Sequence, residues 1–80
     1  MAGKKDEEFK FEILEHLCDL TDKTEKGWKR ELNIVSWNGG EAKYDVRDWN
    51  EDHTKMGKGV SLTYEQYAMV CQEAYDRGIC

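Results

Sequence analysis

The residues with most to offer chemically are large aromatics interleaved with bases. Trp37 and Trp49 fall at alternating positions with Lys29, Asn33, Lys43 and Arg47. In an extended chain, residues two apart share a face, so this spacing gathers rings, an amide and cations on one surface. Such a surface suits an unpaired nucleic-acid strand. Its bases stack on the rings at roughly 1–3 kcal/mol each, and lysine and arginine hold its phosphates in a salt-dependent way. Glu31 and Asp45 have the same parity and dilute the charge. The competing reading makes Trp37 and Trp49 ordinary core beneath a helix or the first strand, because aromatics are common in strands.

Catalytic chemistry needs a nucleophile with a base, paired carboxylates or a metal. His16 and His53 belong to different segments, and His16 with Cys18 has strand spacing, not that of a zinc framework. Asp48, Glu51 and Asp52 cluster without the spacing of a calcium loop, which reads as solvated acid. Gly57-Lys58-Gly59 lacks the length and the Ser/Thr of a phosphate-cradling loop. No catalytic residue, metal ligand or cofactor is assigned. Cys18, Cys71 and Cys80 form no CxxC pair, and no apolar signal segment opens the sequence, so free thiols in a reducing cytoplasm are expected. No run approaches the ~18 apolar residues of a membrane span.

The elements that must position the aromatic–basic face follow from periodicity. Residues 1–8 are polar and aperiodic, a frayed tail before a single domain over 9–80. From Phe9 to Leu20 the apolar residues alternate and switch parity near Ile13, which predicts a strand with a bulge. Phe11, Leu14, Glu15 and Cys18 also fit a helix, the less favoured alternative. After a polar turn, Trp28 to Asn38 alternates, with Trp28, Leu32 and Ile34 on one side. Asn38-Gly39-Gly40 marks a tight hairpin, and beyond it Ala42, Tyr44 and Val46 continue the apolar side. These six residues are the expected core face. Residues 50–57 read as loop, Gly57–Gly59 as its flexible end, and Val60-Ser61-Leu62 as a short strand. Thr63 with Gln66 forms a capping box. The helix it opens carries an apolar stripe of Tyr64, Tyr67, Ala68, Cys71, Ala74 and Tyr75, widened by Met69 and Val70, with Gly78 as its cap.

The fold class expected is therefore α+β, a four-stranded antiparallel sheet followed by one C-terminal helix (β-β-β-β-α). Eighty residues bury little core, so a staple is expected. With no disulfide or metal motif, self-association is what remains, and the helix stripe is its candidate surface. The net charge of −5 counts against non-specific nucleic-acid binding through overall charge and requires the bases to act locally.

One segment is more specific. Tyr44-Asp45-Val46-Arg47-Asp48-Trp49, followed by Lys55-Met56-Gly57-Lys58-Gly59-Val60-Ser61-Leu62-Thr63 and a helix, resembles the positive cofactor four-like family of transcriptional coactivators, in its bacterial YdbC-type branch. The resemblance extends over roughly residues 9–77. It implies a strongly curved sheet, a homodimer formed largely through the helices, and binding of single-stranded DNA with little sequence preference. It also implies roles for individual residues. Trp37 becomes a stacking platform, Arg47 a phosphate or base contact, and Trp49 or a neighbour a second aromatic contact. Lys55 and Lys58 become basic contacts around the glycine loop. Lys29 or Arg30 supplies an early basic contact, with parity favouring Lys29. Tyr64, Tyr67, Ala68, Cys71 and Tyr75 become the dimer interface. Val35 stands where the eukaryotic pattern has a base, so that contact is lost. The basic, serine-rich regulatory tail of that pattern is absent.

The expectation is a non-enzymatic, cytoplasmic or nucleoid-associated dimer that binds single-stranded DNA, with no membrane contact. Single-stranded RNA is a variant, since stacking does not separate the two sugars. The alternative from a different class is a protein-interaction module of the transcription machinery, motivated by the net acidity and the tyrosine-rich helix.

Overall fold

A computed structural model describes residues 10–80. The expected tail and Phe9 lie outside the described residues. The chain forms β1 (Phe11–Asp19), β2 (Lys29–Trp37), β3 (Ala42–Trp49), β4 (Met56–Leu62) and α1 (Tyr64–Asp76). The strands form one sheet in the order β1-β2-β3-β4, each antiparallel to its neighbour. The β2–β3 hairpin closes with Gly40 N–H donating to the Trp37 carbonyl at 2.9 Å. Asn38 and Gly39 both have positive φ, 52° and 76°, as a twist-matched two-residue turn requires.

β1 explains its own mixed parity. Its register against β2 slips between Ile13 and Glu15, and again between His16 and Cys18, leaving Leu14 and Leu17 as extra residues. The first slip falls where alternation switches in the sequence; the second was not anticipated. Between them they bring Phe11, Ile13, His16 and Asp19 opposite odd-numbered residues of β2.

The last strand is longer than expected. Gly57, Lys58 and Gly59 belong to β4 and are not a flexible loop end. Gly59 lies opposite Arg47, and a β-carbon there would collide with Arg47 Cβ and the Val46 carbonyl oxygen. Glycine reads as a loop residue by propensity, but here it permits a close approach of two strands.

The sheet is strongly curved. Phe11 pairs with Trp37 at one end of β2, and Trp49 pairs with Lys29 at the other. In a flat sheet the length of β2 would separate them, roughly 26 Å at the usual rise per residue. Their ring centroids are 5.2 Å apart. The sheet therefore closes around the side that carries Phe11, Trp37 and Trp49, in keeping with the bending that bulges produce.

Curvature reverses the expected inside and outside. Of the predicted core face, only Leu32 is buried; Trp28, Ile34, Tyr44 and Val46 are half-buried and Ala42 is exposed. The concave side buries Val35, Trp49, Asn33, Asp45 and Glu31 instead. α1 covers little of the convex side. Its firmest contact is Tyr67 stacked on Tyr44, centroids 4.2 Å apart and planes at 7°, and none of its residues is buried. The helix starts as the sequence predicts. Thr63 Oγ1 accepts from Gln66 N–H, and the Gln66 side chain accepts from Thr63 N–H. Gly78, at φ 77°, follows the C-cap residue Arg77.

Candidate nucleic-acid interface

The concave side is built on Asp45, fully buried at the centre of β3. A carboxylate there must be fully hydrogen-bonded to be tolerated, and its neighbours provide this. Arg47, two residues on and on the same face, donates from Nε to Oδ2 at 2.9 Å and from Nη2 to Oδ1 at 3.0 Å. Ser61, opposite Asp45 on β4, donates from Oγ to Oδ1 at 2.8 Å. Ser61 Oγ in turn accepts from Trp37 Nε1 at 2.8 Å. Arg47 also donates to the Gly57 carbonyl at 3.2 Å and places its guanidinium 4.8 Å over the Trp37 ring. One buried acid thus orients both the cation and the indole that the sequence singled out. The Asp45–Ser61 support was missed; its only sequence signal was Asp45 sharing Arg47's parity.

Two predicted contact residues are fully buried. Trp49 is fully buried between Phe11 and His53, with ring centroids at 5.2 and 5.5 Å, so no face of it is open to a base. Curvature folds the end of β1 and the loop after β3 over it. Asn33 is also fully buried. Its amide donates to Glu31 Oε1 at 3.1 Å and accepts from His16 Nδ1 at 2.7 Å.

The remaining bases are divided. Lys29 is on the concave side and bonds Asp19 at 3.0 Å. That hydrogen bond raises the ammonium and lowers the carboxyl relative to their ordinary values. Arg30 has the opposite parity and bonds Asp48 at 2.9 Å, which raises its pKa. The structure therefore separates the two candidates for the early basic position. Lys43 is half-buried, and Lys55 and Lys58 are exposed. Among the described residues these three lysines have no ion-pair partner.

The predicted helix surface is also divided. Tyr64, Ala68, Cys71 and Tyr75 are exposed, whereas Tyr67 is turned onto the sheet. Leu14, Leu17 and Val60 on the strands, and Leu20 just after β1, add exposed apolar surface. No helix among the described residues is long and apolar enough to cross a membrane.

The fold is thus a single curved antiparallel sheet with an aromatic–cation pair clamped on its concave side, followed by one helix. The chain belongs to the Transcriptional Coactivator p15 (PC4) family, whose model matches residues 24–73. This is a family of nucleic-acid-binding coactivators, not of enzymes. The chain is also similar to an uncharacterized protein of Treponema pallidum (strain Nichols), 43% identical over 62 residues that cover 78% of this chain and 72% of the relative.

Proposed function

We propose that this protein binds single-stranded DNA with little sequence preference on the concave side of its sheet, as a homodimer, and serves transcription or DNA maintenance in the cytoplasm. The observation that carries the reading is the Trp37–Arg47 pair, held by Asp45 and Ser61 in a geometry set before any ligand arrives. Preorganised rings and cations lose little freedom on binding. Trp37 supplies the stacking surface and Arg47 its charge. Lys29, Lys43, Lys55 and Lys58 supply the phosphate contacts. Few bases are involved and two of them are paired with acids, so the salt dependence is expected to be modest.

Homodimer formation is supported by α1. The helix has no buried residue, and Leu14, Leu17, Leu20 and Val60 are exposed as well, apolar surface of the kind that association covers. A second copy would cover it through Tyr64, Ala68, Cys71 and Tyr75.

The test is a fluorescence titration with oligo(dT), oligo(rU) and duplex DNA at two salt concentrations. Oligo(dT) is expected to quench Trp37 and to bind more tightly than duplex. Trp37→Ala combined with Arg47→Ala is expected to weaken binding at least about tenfold, as loss of one stacked base and one charge would do. Unchanged affinity in the folded double variant would reject the proposal. Equal affinity for oligo(rU) would extend it to RNA, and no binding to any of the three would favour a protein partner.

A further inference from the structure

Of the polar cluster at the β1 end of the concave side, only Lys29 has a part in the proposed DNA contact, and the cluster contains an electrostatic conflict. Asp19 and Glu31 are directly opposite each other on adjacent strands. Like charges in that position destabilise a sheet. Glu31 is only 2% exposed. Its cross-strand neighbour on β3 is Arg47, but that guanidinium is committed to Asp45. Among the described residues, the ion-pair partners of Glu31 are two imidazoles, His53 Nε2 at 2.9 Å and His16 Nδ1 at 3.5 Å. A buried carboxylate beside a second carboxylate therefore has no permanent positive charge paired with it.

The donor set is that of a metal ligand group. One nitrogen of His16 and one oxygen each of Asp19 and Glu31 lie within 4.8 Å of one another. The Asn33 amide donates to Glu31, so its oxygen accepts the Nδ1 proton of His16. This leaves the Nε2 lone pair of a neutral His16 facing Asp19 Oδ1 at 3.2 Å. Two acceptors at that distance repel unless a proton or a cation lies between them. A ligand histidine that donates its other N–H to a carbonyl oxygen is the usual supporting arrangement at a metal centre. The His16–Asp19 spacing is near the ligand–ligand edge of about 3.3 Å that zinc bonds of about 2.0–2.1 Å give in a tetrahedron, while Glu31 Oε1 approaches the imidazole on its Nδ1 side, at 3.5 Å. Lys29 occupies the other oxygen of Asp19, Oδ2, and leaves Oδ1 available. The site opens into a cavity of about 390 Å³ that would admit water as a further ligand.

The geometry points to a divalent metal site formed by His16, Asp19 and Glu31, in which Asn33 orients His16 and a Glu31 oxygen exchanges its contact with His53 Nε2, now 2.9 and 3.0 Å from the two oxygens, for the ion. One imidazole and two carboxylates select a first-row ion of the zinc type over magnesium or calcium, which prefer all-oxygen shells. Bound metal would cancel the Asp19–Glu31 repulsion and join β1 to β2. His16 and Asp19 precede the span matched by the family model, residues 24–73, whereas Glu31, Asn33 and His53 lie within it.

The test is calorimetric titration of the full chain with zinc chloride under reducing conditions, alongside magnesium chloride. One zinc per chain is expected to bind, with magnesium failing to compete. The variants His16→Ala and Asp19→Asn alter partly exposed side chains. Each is expected to weaken zinc more than about tenfold. Replacing Cys18, Cys71 and Cys80 together by serine is expected to leave binding unchanged. Loss of zinc in that cysteine variant, or its retention in folded His16→Ala, would overturn the site. If His16→Ala does not fold, the imidazole nitrogen resonances of the unaltered protein decide the question. Zinc must shift Nε2 of His16, and an unmoved signal overturns the proposal.

Discussion

At the scale of single residues, two side chains show how position decides role. Asp45 lowers the net charge of the concave side, yet it is what fixes Arg47 and Trp37 there. Asp45→Asn removes the charged half of a buried pair and leaves Arg47 without its partner. A loss of about 3 kcal/mol in urea unfolding is expected, with weaker oligo(dT) binding because Arg47 is no longer aimed. Trp49 gives the opposite result. It is buried, and its Nε1 has no hydrogen-bond partner among the described residues. Trp49→Phe leaves a small cavity but also removes a buried unsatisfied donor. A net cost of about 1–2 kcal/mol is expected, with oligo(dT) affinity unchanged. A large loss of affinity without loss of stability would return Trp49 to the contact surface.

At the scale of elements, β4 and β1 are where sequence patterns were hardest to read. Gly59 allows β4 to approach β3 at Arg47, so Gly59→Ala forces the strands apart where the clamp is anchored. That variant is expected to be largely unfolded by circular dichroism at temperatures where the unaltered protein is folded. Gly39 has open space around the same hypothetical atom and only its positive φ to lose. It is the less damaging position. β1 looked ambiguous because two bulges break its alternation, and a bulge mixes strand and helix spacing in one segment. The helix was readable to its first residue, because Thr63 and Gln66 are a local device that needs nothing beyond the next turn.

At the scale of the whole molecule, the sheet buries a mixed interior on one side, Val35 and Trp49 with Glu31, Asn33 and Asp45, and leaves much of its apolar surface exposed. A small domain in that condition gains by association. Ala68→Glu places a charge at the centre of the exposed helix face. It is expected to shift the protein from dimer to monomer in light scattering at micromolar concentration while retaining its circular dichroism spectrum. A monomer in the unaltered protein would remove the dimer from the proposed function but leave the concave side intact.

Residue types and their spacing determined the number and order of the elements, the hairpin at Asn38-Gly39 and the cap at Thr63. They also placed Trp37 and Arg47 on one face, because turn chemistry, capping and alternation act over a few residues. Local pattern does not encode how far a sheet curves. Only the tertiary structure decided that the face bearing Trp37 closes inward, and so that Asn33 and Trp49 are buried while Asp45 and Ser61 hold Arg47 and Trp37. Curvature results from bulges and close strand contacts summed over the sheet, and it brings Phe11 to Trp49 and His53 to Glu31 across distances that no sequence window covers.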